Sequence, residues 1–258
     1  MLLTSTKNPI VQSAKALQTA KGRREQNAFL CDGEHMTGEA LRACPEKVSA
    51  LFVEDGQQER FASLLALAQQ AGSTIYEVSA AVLEAVSQVK TPQGIAAVCG
   101  LPKSCPLERQ GQKLLLMENV QDPGNVGTIL RTLDAAGFDG CILTPGCADP
   151  FAPKTMRATM GSLFRVPMTF VEDGAEAAHW LRTNGWAVIG AELRGQPFYQ
   201  RGNRPDKLCV LIGNEGAGLT EEILAQCSFR YKLPMRGGAE SLNAGIAAAI
   251  MMYDLMNR

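Results

Sequence analysis

The chain has 258 residues, of which 46% are hydrophobic and 20% are charged, and its formal net charge is −1 at pH 7. This composition is ordinary for a globular protein and excludes intrinsic disorder and a fibrous chain. The length suits two domains of roughly 100–150 residues each. The near-neutral charge lacks the basic excess of proteins that grip nucleic acid over a whole surface, so any such contact is expected from a local cluster.

The eight cysteines and two histidines are scattered, and no pair has the spacing of a zinc site. We therefore predict reduced thiols and no bound metal. No apolar run reaches the ~18 residues of a membrane span, and Lys7 and Pro9 precede any run of signal-peptide length. The sequence predicts a cytoplasmic protein without a membrane segment.

Residues 1–100 alternate short β-rich runs with helical ones, which predicts a small α/β domain. From Phe61, apolar residues recur at i, i+3, i+4 and i+7, the spacing of a helix that packs on a core. The predicted strands are 28–32, 48–54, 74–79 and 94–99, and the predicted helices are 33–43, 57–71 and 81–89.

Residues 101–112 contain two prolines and a glycine without periodicity, which indicates a linker before a second domain at 113–258. Apolar strands alternate with helices in this second domain. The pattern predicts an α/β fold with a mostly parallel sheet covered on both faces. The predicted strands are 113–120, 141–144, 164–171, 187–192, 208–213 and 231–233, and the predicted helices are 126–136, 175–183, 221–227 and 242–256.

Three segments interrupt this pattern, each at the carboxyl end of a predicted strand, where open α/β sheets bind ligands. They read ENVQDPGNVGTILRT at 118–132, LIGNEGAGLT at 211–220 and LPMRGGAESLNAG at 233–245. Each has an ordinary structural interpretation: Asn125 and Ser241 can cap helices, Glu215 can be a solvated turn residue, and Arg131 lies off the apolar stripe of its helix. The glycine spacing also misses the dinucleotide and P-loop patterns.

In this order and spacing, the three segments resemble the signature motifs of the SpoU family of SPOUT methyltransferases. DPGNVGTILR at 122–131 is similar to the first motif, IGNEGAGL at 212–219 to the second, and LPM at 233–235 with SLN at 241–243 to the third. PKTMRATMGS at 153–162 resembles the stretch between the first two. FLCDGEH at 29–35 and TPQGI at 91–95 resemble the amino-terminal RNA-binding domain, so the likeness covers nearly the whole chain. NAGI at 243–246 departs from the more usual NVSV.

The resemblance implies an enzyme that transfers a methyl group from S-adenosylmethionine to a ribose 2′-hydroxyl of rRNA or tRNA. It implies an RNA-binding α/β domain at 1–100, followed by an α/β-knot domain at 113–258 with a trefoil knot. It also implies a homodimer formed through the carboxyl-terminal domain.

Carried over by resemblance, the principal catalytic residue is Arg131, which stabilises the attacking oxygen and holds the adjacent phosphate. Ser241 holds that phosphate, and Asn125, Glu215 and Asn243 shape the pocket. The expected cofactor-binding residues are Ala191, Gly213, Leu233, Met235 and Leu242. For RNA binding we expect the local basic cluster of Lys21, Arg23 and Arg24, with Lys154 and Arg157 as further candidates.

Three alternatives stay open. A SPOUT enzyme that methylates a base differs in the atom modified. A catalytically silent RNA-binding protein would keep the first domain and lose Arg131 or the third motif, and both are present. A dehydrogenase on a dinucleotide fold explains the alternating strands but lacks the fingerprint.

Overall fold

A computed structural model describes residues 2–87, 89, 91–203 and 205–257. The chain divides into two compact units: Met1–Lys103 with Phe151–Phe164, and Ser104–Pro150 with Arg165–Arg258. The first unit therefore includes a segment from the second half of the sequence, which the sequence pattern did not predict.

The described ranges contain eleven β-strands and ten α-helices. The strands are β1 Leu2–Leu3, β2 Ala28–Asp32, β3 Val48–Glu54, β4 Thr74–Val78, β5 Ile95–Gly100, β6 Lys113–Met117, β7 Gly140–Leu143, β8 Met168–Phe170, β9 Ala187–Pro197, β10 Leu208–Ile212 and β11 Phe229–Lys232. The helices are α1 Pro9–Ala16, α2 Ala20–Gln26, α3 Gly33–Ala43, α4 Ala62–Gln70, α5 Ala80–Val86, α6 Pro123–Ala135, α7 Pro153–Thr159, α8 Gly174–Thr183, α9 Glu221–Leu224 and α10 Ala244–Asn257.

The first unit is built on a mixed five-stranded sheet in the order β1-β4-β3-β5-β2. The pairs β1–β4 and β4–β3 are parallel, and β5 runs antiparallel to both β3 and β2. Helices α1 and α2 were not predicted. Both begin at side-chain caps, where Asn8 accepts a hydrogen bond from the Ile10 N–H and Thr19 accepts one from the Gly22 N–H.

The segment Phe151–Phe164 is held in the first unit by aromatic contacts with β2. The ring of Phe29 lies 4.9 Å from that of Phe151 and 6.2 Å from that of Phe164, measured between centroids. Helix α7 within the segment buries Thr155, Met156 and Thr159. These contacts make the segment part of the core of the first unit.

The second unit contains a six-stranded sheet in the order β11-β9-β10-β6-β7-β8, and every pairing in it is parallel. The expected mostly parallel α/β fold is therefore confirmed. All five residues of β10 are buried, as are four of the five in β6, because helices cover this sheet. The trefoil knot stays a prediction.

Several predicted boundaries differ from the structure. The strand predicted at 164–171 is confined to β8, since residues Ser162–Phe164 form a 3-10 turn. Helix α4 starts five residues later than predicted, and α10 starts at Ala244 and not at Leu242. Residue 88 of the predicted helix 81–89 lies outside the described residues. Within the described ranges, no helix is long and apolar enough to cross a membrane.

Candidate active site

The loop after β6 is the first of the three loops that form the candidate site. Asn119 has a left-handed backbone with φ of 51°, and its N–H donates to Thr144 Oγ1 at 3.0 Å. Asp122 caps α6 by accepting from the Asn125 N–H at 3.0 Å, with Pro123 at the first helical position. The alternative interpretation of Asn125 as the cap of this helix is therefore excluded. Because Asp122 takes that role, the buried side chain of Asn125 is available for contacts with other loops.

The loop after β10 closes on itself. Asn214 and Gly218 exchange two backbone hydrogen bonds of 3.0 and 2.9 Å, and Asn214 Oδ1 accepts from the N–H groups of Gly216 and Ala217. A Cβ atom at Gly213 would lie 2.2 Å from the carbonyl carbon of Gly218. Glycine is thus required at 213 because the returning backbone fills the space of a side chain.

Glu215 connects this glycine loop to the first one. Its carboxylate accepts hydrogen bonds from Asn125 Nδ2 at 2.8 Å and from the N–H groups of Asp122 at 3.0 Å and Gln121 at 3.2 Å. Burial acts to raise the pKa of Glu215, but the hydrogen bonds from Asn125 and the backbone outweigh it and lower that pKa. Glu215 is therefore not a free turn residue; it fixes the start of α6 as a carboxylate.

The third segment joins the same network through Asn243. Its Nδ2 donates to Asn125 Oδ1 at 2.8 Å, while its Oδ1 accepts from the N–H groups of Gly245 and Ile246. Asn243, and not Ser241, is therefore the cap of α10. The chain of bonds Asn243–Asn125–Glu215 brings three of the five expected catalytic residues together.

A cavity of about 540 Å³ opens beside this network, within the second unit. All five expected cofactor-binding residues line it: Ala191, Gly213, Leu233, Met235 and Leu242. Glu215 and Ser241 line it as well. Six charged side chains line the wall, four of them acidic and two basic, so the cavity has a negative balance; they are Glu192, Glu215, Glu221, Glu240, Arg194 and Lys232.

Arg131 does not line this cavity in the part of the chain that is described. It is exposed on α6, six residues beyond Asn125, which places it about 9 Å further along the helix axis. Ser241 is likewise exposed, two residues before the Asn243 cap. The structure thus gathers the cofactor candidates closely but leaves Arg131 outside the network.

The expected basic cluster of the first unit is only partly exposed. Arg23 is 5% exposed, and its Nη1 donates to the carbonyl oxygens of Leu17 at 3.1 Å and Gln18 at 3.4 Å. Its assignment to an exposed RNA surface is wrong, because the guanidinium satisfies carbonyl groups at the end of α1. Lys21 and Arg24 are exposed, and Lys21 lies 3.7 Å from the Glu25 carboxylate.

Lys154 and Arg157 are both exposed on α7. Because α7 belongs to the first unit, these two side chains are on the same unit as Lys21 and Arg24. Sequence position alone had placed them in the second domain.

Two residues of the site were missed by the sequence analysis. Glu118 directly follows β6, and its carboxylate accepts from the Thr220 hydroxyl at 2.7 Å and from the Thr220 N–H at 2.9 Å. Their separation of 102 positions hides the contact. The only signal in the sequence was an acidic residue at the end of a buried strand.

The cysteines contribute no metal site within the described ranges, where no group of three or more potential ligands is found. All eight are free thiols. Burial raises the pKa of Cys31, Cys141 and Cys209, so these thiols stay protonated and unreactive.

Comparisons with known proteins match nearly the whole chain. Residues 112–253 match the SpoU rRNA Methylase family, and residues 8–97 match the MRM3-like substrate binding domain. The 23S rRNA (guanosine(2553)-2′-O)-methyltransferase RlmP of Bacillus subtilis is 38% identical over 98% of both chains. The AdoMet-bound rRNA methyltransferase of Sinorhizobium meliloti has a TM-score of 0.87 at 32% identity, covering 99% of this chain and 97% of that one. AviRb of Streptomyces viridochromogenes, a SpoU methyltransferase in complex with AdoMet, has a TM-score of 0.84 at 27% identity, covering 97% of each.

Proposed function

The chain belongs to the SpoU rRNA methylase family and is an S-adenosylmethionine-dependent RNA 2′-O-methyltransferase, and we propose that its substrate is ribosomal RNA of the large subunit. The observation that supports this most directly is the 38% identity to a 23S rRNA methyltransferase across both of its domains. We also propose that it acts in the cytoplasm, on its RNA substrate.

The cavity of the second unit suits the cofactor. Its volume of about 540 Å³ lies within the usual range for small-molecule sites of roughly 300–1,000 Å³. S-adenosylmethionine supplies a methyl group on a positively charged sulfur, and the excess of acidic side chains in the wall favours a cationic ligand. The apolar wall residues Leu219, Leu233 and Leu242 suit an adenine ring, while the backbone of the glycine loop offers polar groups.

Arg131 is proposed to act on the acceptor ribose and not on the cofactor. A guanidinium stays charged throughout the physiological pH range, so it is a poor base and a good stabiliser of a developing alkoxide or a phosphate. Its exposure on α6, away from the cavity wall, agrees with a contact to the incoming RNA. The proton then leaves to phosphate or water.

Ser241 is proposed to hold the phosphate next to the acceptor ribose. Ser241 is exposed and lines the cavity. The N–H groups of Gly245 and Ile246 at the start of α10 are already taken by Asn243, so the side chain of Ser241 is the better donor. Asn125, Glu215 and Asn243 act indirectly by fixing the three loops in register.

A homodimer through α10 is the proposed assembly. Ile246 and Tyr253, seven positions apart and hence on one face of the helix, are 48% and 42% exposed. Ile250 lies between them on the same face and is half-buried. Such an apolar strip suits a second copy of the chain.

The proposed substrate is tested by incubating the purified protein with S-adenosylmethionine and separate pools of ribosomal and transfer RNA. The modified nucleotide is mapped by backbone cleavage, which a 2′-O-methyl group blocks. The map should show one new modified nucleotide in 23S rRNA. Methylation confined to tRNA would contradict the proposed substrate. Methylation of a base would contradict the 2′-hydroxyl as the acceptor.

A further inference from the structure

We propose that Glu118 is a positioning residue for the cofactor cavity, acting through Thr220, an inference that rests on the proposed use of that cavity for S-adenosylmethionine. Glu118 is the first residue after β6, and both of its carboxylate oxygens are bonded to Thr220 on the far side of the glycine loop. Neither residue lines the cavity.

Thr220 lies between two parts of the cavity wall. Leu219 on one side and Glu221 on the other both line the cavity, and so does Leu224 in the same short helix, α9. Thr220 also caps α9 by accepting from the Ile223 N–H at 3.4 Å. Holding Thr220 therefore holds the end of the glycine loop and the start of α9 together.

The glycine loop needs an external anchor at this end. Its internal bonds run between Asn214 and residues 216–218, so they shape the loop without attaching it to its surroundings. At its start, Asn214 Nδ2 donates to the Asn119 carbonyl at 2.9 Å. At its end, the corresponding attachment is Glu118, and hydrogen bonds to a charged acceptor are among the stronger ones in proteins.

Each of the two loops thus donates hydrogen bonds to a carboxylate of the other. Glu118 of the first loop holds the second, and Glu215 of the second loop holds the first. The targets differ: Glu215 reaches the start of α6 and the Asn125 network, whereas Glu118 reaches Thr220, whose two chain neighbours line the cavity. Loss of Glu118 should therefore weaken cofactor binding more than it slows turnover at saturating cofactor.

The test compares Glu118→Ala with a matched control, Asp173→Ala. Asp173 is a carboxylate of the same unit that accepts two N–H bonds at the start of α8 and does not line the cavity. Calorimetric titration with S-adenosylmethionine should give a Kd about tenfold higher for Glu118→Ala. The control should lose comparable thermal stability while its Kd stays within about twofold.

Glu118→Gln should restore affinity, because its Oε1 can accept from the Thr220 N–H while its amide donates to the Thr220 hydroxyl. Thr220→Val, which keeps the N–H and removes the hydroxyl, should raise Kd about threefold and decides the matter if Glu118→Ala fails to fold. Unchanged Kd in the folded variants, with lowered stability alone, would overturn the proposal. If the wild-type protein itself binds no S-adenosylmethionine, the cofactor assignment fails and this inference falls with it, which is a different result from a wild-type protein that binds and variants with unchanged Kd.

Discussion

In the second unit, the loops after β6 and β10 hold each other through two carboxylates and a chain of side-chain amides, with donor–acceptor distances of 2.7–3.2 Å. In the first unit, Lys21 and Arg24 are exposed on α2, and Lys21 lies 3.7 Å from the Glu25 carboxylate. The first arrangement fixes a cavity for a small molecule before it binds. The second gives long cations that adapt to a polyanion and are screened by salt.

The largest effect is expected for Arg131, which belongs to neither arrangement. Arg131→Ala should lower kcat at least about 100-fold, because the proposed role of its charge is to stabilise the developing alkoxide. Cofactor affinity should stay unchanged, since Arg131 does not line the cavity. Turnover and calorimetric Kd are to be measured on one preparation. Activity within about threefold of wild type would contradict the assignment.

Arg23 sharpens the contrast inside α2, because it is buried while its neighbour Arg24 is exposed. Arg23→Ala should lower the free energy of unfolding by about 2 kcal/mol, since it removes a buried side chain and its hydrogen bonds to the Leu17 and Gln18 carbonyl oxygens. Arg24→Ala is the matched control and should change it by less than about 0.5 kcal/mol. Denaturant titration measures both, and equal values would show that Arg23 has no structural role.

The pH dependence of stability tests whether the charge of Glu215 stabilises the second unit. Because its pKa is lowered in the folded protein, its stabilising contribution is complete above the ordinary glutamate pKa and is lost as the pH falls through the lowered value. Glu215→Gln should therefore lower Tm by about 2 °C at pH 7, with the difference from wild type shrinking towards pH 3. A difference that stays constant over this range would show that the charge is irrelevant.

The smallest effect is expected for the exposed cations. Lys21→Ala with Arg24→Ala should weaken RNA binding a few-fold and flatten the log–log salt dependence by up to about one unit for each lost phosphate contact. Cofactor affinity is the internal control and should not move. If RNA binding is normal across a salt series, the surface lies elsewhere on the first unit, with Lys154 and Arg157 the next pair to replace.

The sequence predicted the sheet well because buried parallel strands such as β6 and β10 are continuous apolar runs. It missed α1 and α2, which have eight and seven residues and are too short to show a clear apolar stripe. It also placed the five cofactor candidates by resemblance, and the structure gathers them around one cavity.

The caps and the cross-loop bonds were beyond reach of the sequence. Polar residues near a helix start are visible, but which of them turns back to the backbone depends on its other partners. The Asn125 side chain is hydrogen-bonded to Glu215, 90 positions away, and to Asn243, 118 positions away. Asp122 is therefore the residue that caps α6. Arg23 was misjudged for the same reason, since a charge in a basic run reveals nothing about the carbonyl groups near it.

The capture of Phe151–Phe164 by the first unit bears on how such enzymes can be recombined. Phe29 packs against both ends of this segment, and Thr155, Met156 and Leu163 are buried within it. A chimaera that exchanges only residues 1–103 would replace Phe29 while keeping Phe151 and Phe164, the two rings against which it packs. Transplanting the first unit therefore requires two coordinated replacements, one of residues 1–103 and one of residues 151–164.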